Sequence, residues 1–313
     1  MTMVGAGSSM GAAGEAATVT YRDFDMPRSL RAAFQRSAVE WLDGAGRPTA
    51  ATPRLSASAL LLRETATGLE VFAQRRVPQM AFAPGMLVYP GGAVDPRDGE
   101  GEIDWERISP ARSVDQWAHL LGADPAQTRL ILFAVTRELF EECGVLIAGP
   151  DQHTVLDDLS DPRWQRHREA LLNRSVSFAK VLVAEGLTLR TDLLAPVGHW
   201  ITPECEPRRY DTYFFAATLP VGQHADGRTT EAVTAGWVEA AEALQEHRAG
   251  PGTMMPPTQV LAETVADATD LKSYFARPHS MQPVLPSPAR VAGALVMRAP
   301  IPATQVASFR ETD

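Results

Sequence analysis

Arg137-Glu138-Leu139-Phe140-Glu141-Glu142-Cys143-Gly144-Val145 is the stretch that decides the reading of this chain. Glu138, Glu141 and Glu142 are spaced by three and four residues, so on a helix their carboxylates project from one patch. Like charges at this spacing destabilise a helix by roughly a few tenths of a kcal/mol per pair, and here they sit at the negative end of the helix dipole. Arg137, four residues before Glu141, offsets part of that charge and leaves a negative excess. Hard divalent cations take oxygen ligands, and magnesium commonly combines a few carboxylates with waters and substrate phosphate oxygens. The cluster therefore suits magnesium or manganese. A solvated acidic face would explain a glutamate pair standing alone, but it leaves the neighbouring arginine and glycines unexplained.

Upstream, Asp124-Pro125-Ala126-Gln127 has the form of a helix start, with an acidic N-cap, proline at the first helical position and a capping-box Gln. Leu130, Ile131, Ala134, Val135 and Leu139 continue the helical spacing and Gly144 ends it, which predicts a helix from about Pro125 to Cys143. Further upstream, Gly85-Met86-Leu87-Val88-Tyr89-Pro90-Gly91-Gly92 is a β-like run that stops at Pro90 and turns where bare backbone can approach a ligand. Between turn and helix lie an acidic stretch, Asp95 to Glu106, and a short helical pattern from Ser109 to Gly122 carried by Trp117, Leu120 and Leu121.

Residues 137–145 match every specified position in the second half of the Nudix box, G-x5-E-x7-R-E-U-x-E-E-x-G-U with U apolar, so the chain resembles the Nudix hydrolase superfamily. Tyr89-Pro90-Gly91-Gly92 stands where the family's strand enters the box, with Asp98 in place of the early Glu. The spacing departs: Arg137 follows Gly92 by 45 positions, where the uninterrupted pattern has 14, an excess of 31. Long surface loops add little closure entropy, so such an insertion is compatible with an intact site. The split box resembles the coenzyme A diphosphatase branch, which includes a mammalian peroxisomal enzyme. Gly85-x-x-x-Tyr89-Pro90-Gly91-Gly92 is also similar to the end of that branch's coenzyme A motif, with Ala81 where the motif has arginine. Trp200-Ile201-Thr202-Pro203 and Arg208-Arg209-Tyr210-Asp211-Thr212-Tyr213-Phe214-Phe215 look like the segment after the box in that branch, and the resemblance covers roughly residues 55 to 265.

The resemblance implies an α+β fold, an α/β/α sandwich in which a mixed β-sheet lies between helices, with an insertion inside the box at about 93–128 and extra terminal helices. It implies a Mg2+-dependent, or Mn2+-dependent, diphosphatase. Glu138, Glu141 and Glu142, helped by the Gly92 carbonyl, would hold the cation, with Glu142 central to turnover. Either Glu138 or Glu231 would be the general base; Glu231 precedes Trp237 by six positions, as a late metal-binding glutamate does in the family's oxidised-nucleotide-cleaving prototype. Arg137 is expected to brace Glu141, and Arg75, Arg76, Arg208 and Arg209 are the candidate phosphate ligands, since guanidinium forks suit phosphate oxygens. The leading substrate is coenzyme A or acyl-CoA, cleaved to phosphopantetheine and adenosine 3',5'-bisphosphate. ADP-ribose, NADH or a nucleotide sugar is the alternative, and a non-catalytic nucleotide sensor or a partner-docking protein the reading from another class. His199, Cys143, Trp105 and Trp117 are expected to pack rather than react.

The rest of the chain bounds these readings. Its 313 residues suffice for one elaborated domain, and 45% hydrophobic with 21% charged residues is ordinary globular composition. A net charge of −9 lacks the footprint of a nucleic-acid binder, and no apolar run approaches membrane-spanning length. The partner expected is a small nucleotide-type diphosphate, with no nucleic acid and no membrane, and a homodimer is left open. Two cysteines, Cys143 and Cys205, make neither a disulfide framework nor a zinc site, and no targeting signal is visible, so a cytoplasmic location is expected. Residues 1–20 read as a disordered tail, 21–54 as an appended helix (Pro27 to Leu42) and linker, and 55–313 as the main domain. Within it, 55–63 and 69–76 form a hairpin, Trp164 to Glu185, Ala240 to His247 and Pro257 to Asp267 are helical, and Val197 to Ile201, Thr212 to Leu219, Ala235 to Val238 and Val291 to Met297 are strands.

Overall fold

A computed structural model describes residues 19–44, 49–80, 82–99, 112–228, 232–250 and 252–306. Its centre is strand β2 (Arg54–Glu64), an apolar run whose residues Ala57 to Leu62 are all buried. Such a run fits a strand covered on both faces. Leu60 and Leu62 pack into one core, while Ala57, Ala59 and Leu61 pack into another on the opposite side.

Around β2 the main sheet runs in the order β10 (Ala232–Glu239), β3 (Leu69–Arg76), β2, β9 (Tyr210–Thr218), β8 (Leu194–Ile201), β11 (Pro283–Val284). The pairing is mixed, since β2–β9 and β8–β11 are parallel and the other neighbours antiparallel. Two short strands from the glycine-rich landmark join it, β4 (Leu87–Val88) on β3 and β5 (Gly91–Ala93) on β2. One face carries α3 (Pro125–Cys143) with α2 (Val114–Leu121), through Ile131, Val135 and Leu139 against Leu61, Phe72 and Phe215. The other carries α1 (Arg28–Asp43), α6 (Ala240–Ala249) and α7 (Pro256–Ala266), through Phe34, Leu244 and Leu261. This is the expected α/β/α arrangement, a mixed sheet between helices.

Helix α3 starts and stops as read: the Asp124 carboxylate accepts from Ala126 N and Gln127 N, and Gly144 ends the helix at φ 68°. The first turn of this helix thus lies inside the segment bounded as insertion. A reciprocal capping box occurs instead at Ser113 and Gln116, which start α2.

Three expectations need correction. Trp164 to Glu185 is two helices, α4 (Pro162–Leu172) and α5 (Phe178–Ala184), because the chain turns at Arg174, φ 61°. The span Val291 to Met297 crosses a hairpin turn at Ala292-Gly293 between β12 (Ser287–Val291) and β13 (Ala294–Pro302); both turn residues have positive φ. The tail boundary at residue 20 cuts β1 (Val19–Phe24), which pairs along its length with β13 in a three-stranded sheet ordered β1, β13, β12. Phe24, Met26, Phe34 and Ala38 of the N-terminal segment share a core with Met297, Ala299 and Ile301. A last pair, β6 (Ala148–Gly149) and β7 (Thr188–Leu189), closes a small core containing Phe133, Phe140, Trp164 and Phe178.

Candidate active site

The glycine turn and the end of α3 meet because two glycines permit it. At Gly91 an added Cβ would lie 2.5 Å from Ala57 O and 2.6 Å from Ser58 Cα, so the turn can lie against β2 only without a side chain. Ser58 Oγ and Ala59 N both donate to Pro90 O, at 3.0 and 2.8 Å, and fix the turn. A Cβ on Gly92 would lie 2.5 Å from Glu138 Oε1, which places this backbone directly against the carboxylate.

Arg137 organises the acids. Its Nε donates to Asp98 Oδ1 at 2.7 Å and its Nη2 to Asp98 Oδ2 at 3.2 Å, a two-point pairing across the inserted segment. Its Nη1 donates to Glu138 Oε1 at 2.8 Å and lies 3.2 Å from Glu141 Oε1, and Nη2 donates to Ala93 O at 3.2 Å. Glu142 points the other way, where its Oε2 accepts from Gly91 N at 3.0 Å and Gln74 Nε2 at 3.2 Å. The glycine turn and the end of α3 are thus brought together, with Asp98 joined to Arg137.

Three carboxylates, Asp98, Glu138 and Glu141, contact this one guanidinium, and Glu142 adds a fourth acid beside them. Burial pushes the Glu138 carboxyl up to about 7, against the lowering effect of Arg137 and with further repulsion from Glu141. Burial also raises Glu141 and Asp98, in each case opposed by Arg137. For Arg137, burial works against the charge but Glu138, Asp98 and Glu141 outweigh it, so the guanidinium stays protonated. Buried oxygen acids in excess over their counter-charge are the donor set a hard divalent cation requires. Among the described residues no three acidic, His or Cys side chains already converge as a ligand shell. Arg137 draws Glu138 and Glu141 to itself and Gly91 draws Glu142 away, so binding a cation requires these side chains to re-aim.

The candidate arginines separate. Arg75 donates to Glu246 Oε1 of α6 at 2.7 Å, on the sheet face away from α3. Arg76 lies two residues beyond Gln74, on the strand face that Gln74 presents to Glu142. Arg208 is exposed. Arg209 is buried and its donors are used on main-chain carbonyls, Thr202 O at 2.9 Å and Ala51 O at 2.7 Å, which fits a role in the chain's architecture rather than in phosphate binding. Glu231, Trp105 and Ala81 lie outside the described residues. His199 pairs with Asp211 and stacks on Tyr213, Cys143 is fully buried with its thiol pushed up by burial, and Trp117 packs against Phe215.

Two participants escaped the sequence reading. Gln74 sits in a strand whose alternation identifies its face but not its facing acid. Arg168 of α4 is buried, donating Nε to Glu141 O at 2.8 Å and Nη1 to Asp226 Oδ1 at 2.6 Å, so it binds the end of α3 to the 226–228 loop. Nothing in the local sequence around Trp164 announces that contact.

No protein-family model matches the chain. A Caenorhabditis elegans protein designated nudix hydrolase 7 is 25% identical over 240 residues, which span 77% of this chain and 70% of that protein. The crystal structure of a NUDIX hydrolase from Alicyclobacillus acidocaldarius is similar with a TM-score of 0.60 and 23% identity, covering 74% of this chain and 99% of that one. That structural likeness establishes the fold.

Proposed function

Taking the chain as a Nudix hydrolase, we propose that it cleaves the diphosphate bond of a nucleoside diphosphate linked to a second group, with Mg2+ or Mn2+ as cofactor. The observation that carries this reading is the buried excess of carboxylates, Asp98, Glu138, Glu141 and Glu142, pressed against the bare backbone of Gly91 and Gly92. The residues that would hold the cation are Glu138, Glu141 and Glu142 with the Gly92 carbonyl. When bound, the cation neutralises diphosphate oxygens and lowers the pKa of water.

The chain's own groups do the rest. Arg137 keeps Glu138 and Glu141 together, and Asp98 keeps Arg137 in place. Glu138, with its carboxyl raised to about 7 by burial, is suited to accept a proton from attacking water near neutral pH, and Glu231 remains the rival base. Arg208 is exposed and remains a proposed phosphate ligand, as does Arg76 on the strand face of Gln74, whereas the donors of Arg75 and Arg209 reach Glu246 and main-chain carbonyls.

Within this class the favoured substrate is coenzyme A or acyl-CoA, supported by the split box and the run Gly85-x-x-x-Tyr89-Pro90-Gly91-Gly92. The test is incubation with Mg2+ and coenzyme A, ADP-ribose, NADH or a nucleotide sugar, with products separated by chromatography. Adenosine 3',5'-bisphosphate appearing fastest supports the coenzyme A assignment, and faster release of AMP from ADP-ribose or NADH replaces it with the alternative. Absence of magnesium-dependent product from the whole panel removes the hydrolase reading and leaves a sensor.

A further inference from the structure

We infer that Arg174, in the turn between α4 and α5, is a phosphate ligand for the diphosphate substrate bound at the Glu138–Glu142 patch. This deepens the diphosphatase reading and rests on it.

The first observation is conformational. Five consecutive helices, α1 to α5, are each followed by a residue in the left-handed region, and four of those residues are glycines: Gly44, Gly122, Gly144 and Gly186, with φ from 64° to 69°. After α4 the same place is taken by Arg174 at φ 61°, although Asn173 beside it, a residue type that tolerates this region better, has φ −85°. Glycine would serve the turn with less strain, so a long cation here calls for an explanation outside the turn.

The second observation is position. Arg174 O accepts from Arg97 Nη1 at 2.7 Å. Arg97 pairs with Asp95, whose N–H donates to Asp98 Oδ2 at 2.9 Å, and Asp98 receives Arg137. The turn is therefore tied through three residues, Arg97, Asp95 and Asp98, to the guanidinium that holds Glu138 and Glu141. The Arg174 side chain is exposed, and no carboxylate among the described residues forms an ion pair with it.

A guanidinium fork that no described carboxylate pairs, carried on a turn that is tied to the carboxylate patch and held at a conformational cost, suits an anion that the patch itself holds through cations. A diphosphate meets this description: metal-neutralised on one side, with phosphate oxygens left for bidentate donation on the other.

The test uses Arg174→Gly, which removes the guanidinium while relaxing the backbone, so the fold is expected to keep or raise its Tm. ADP affinity is measured by calorimetry with Mg2+ present, and steady-state kinetics are run on the fastest substrate of the panel. The expected result is about tenfold weaker ADP binding and a similar rise in KM, with kcat changed far less and Arg174→Lys falling between. ADP affinity and KM equal to wild type overturn the inference, as does a fall in kcat accompanied by lower Tm at constant KM, which marks a structural role. A wild-type protein that binds ADP but turns over nothing sinks the hydrolase reading while the binding comparison still decides Arg174; one that does not bind ADP overturns the inference itself.

Discussion

Gly92 and Glu142 show how much of the site's chemistry depends on single atoms. A methyl group at Gly92 would meet the carboxylate end of the Glu138 side chain rather than backbone, so Gly92→Ala displaces the carboxylate at little cost to the fold. The expected outcome is a Tm within a few degrees of wild type with turnover reduced by roughly a hundredfold, measured by thermal denaturation alongside initial rates. Glu142→Gln keeps an oxygen able to accept from Gly91 N and removes the negative charge. More than about a hundredfold loss of turnover is expected, with the circular dichroism spectrum preserved; wild-type rates in this variant would exclude Glu142 from the metal set. At this scale the glutamates were legible, because three acids at helical spacing declare one face. The Asp98–Arg137 pair was not, since residues 39 apart in sequence reveal nothing of a two-point contact.

Helices with strong caps read well, as Asp124, Pro125 and Gly144 delimit α3. Failures came where backbone conformation, not hydrophobic periodicity, sets the break: apolar spacing runs through Arg174 and through Ala292-Gly293, while the chain turns at both. A contact between elements also supplies a pH prediction. His247, near the end of α6, accepts at Nδ1 from Thr253 N at 2.9 Å and Met254 N at 3.0 Å, and Thr253 O in turn receives Leu87 N of β4 at 2.7 Å. The loop before α7 is thereby fastened to the strand that leads into the glycine turn. Burial pulls the His247 pKa below its ordinary value of 6.5, so the folded state takes up its proton at lower pH than the unfolded chain does. This contribution to stability is complete above about pH 6.5 and is lost as pH falls from there through the folded-state pKa. Urea denaturation between about pH 7.5 and about pH 5 should show this loss as one component of the wild-type curve, set against the opposite trend of Glu138, whose raised carboxyl takes up its proton in the same window. In His247→Asn, which offers a non-titrating acceptor, that component should be missing.

Across the whole molecule, residues 19–43, read as the end of a tail and an appended helix, contribute to the core. The reading missed this because β1 finds its partner β13 near the opposite end of the chain, and a six-residue strand carries little periodic signal of its own. Phe24, Met26 and Phe34 are buried, and at about 1.5–3 kcal/mol for each large apolar side chain their removal is severe. Deleting residues 1–43 should therefore lower stability by roughly 5 kcal/mol or more and expose the edge of β13 to aggregation. Deleting only residues 1–18, which leaves β1 whole, is the control, with soluble yield and Tm as the measurements. Equal behaviour of the two deletions would show that β1 and α1 are dispensable.

The two-point contact between Asp98 and Arg137 frees the candidate site from needing its residues in one unbroken stretch of sequence. β5 anchors the first half on β2, α3 anchors the second, and the acid–guanidinium clasp joins them through space. The length of the intervening segment is then set by the need to deliver α2 to the sheet, where Trp117 and Leu121 are buried, and not by the site itself. Relatives of this chain are accordingly best sought with two short half-signatures separated by a gap of free length.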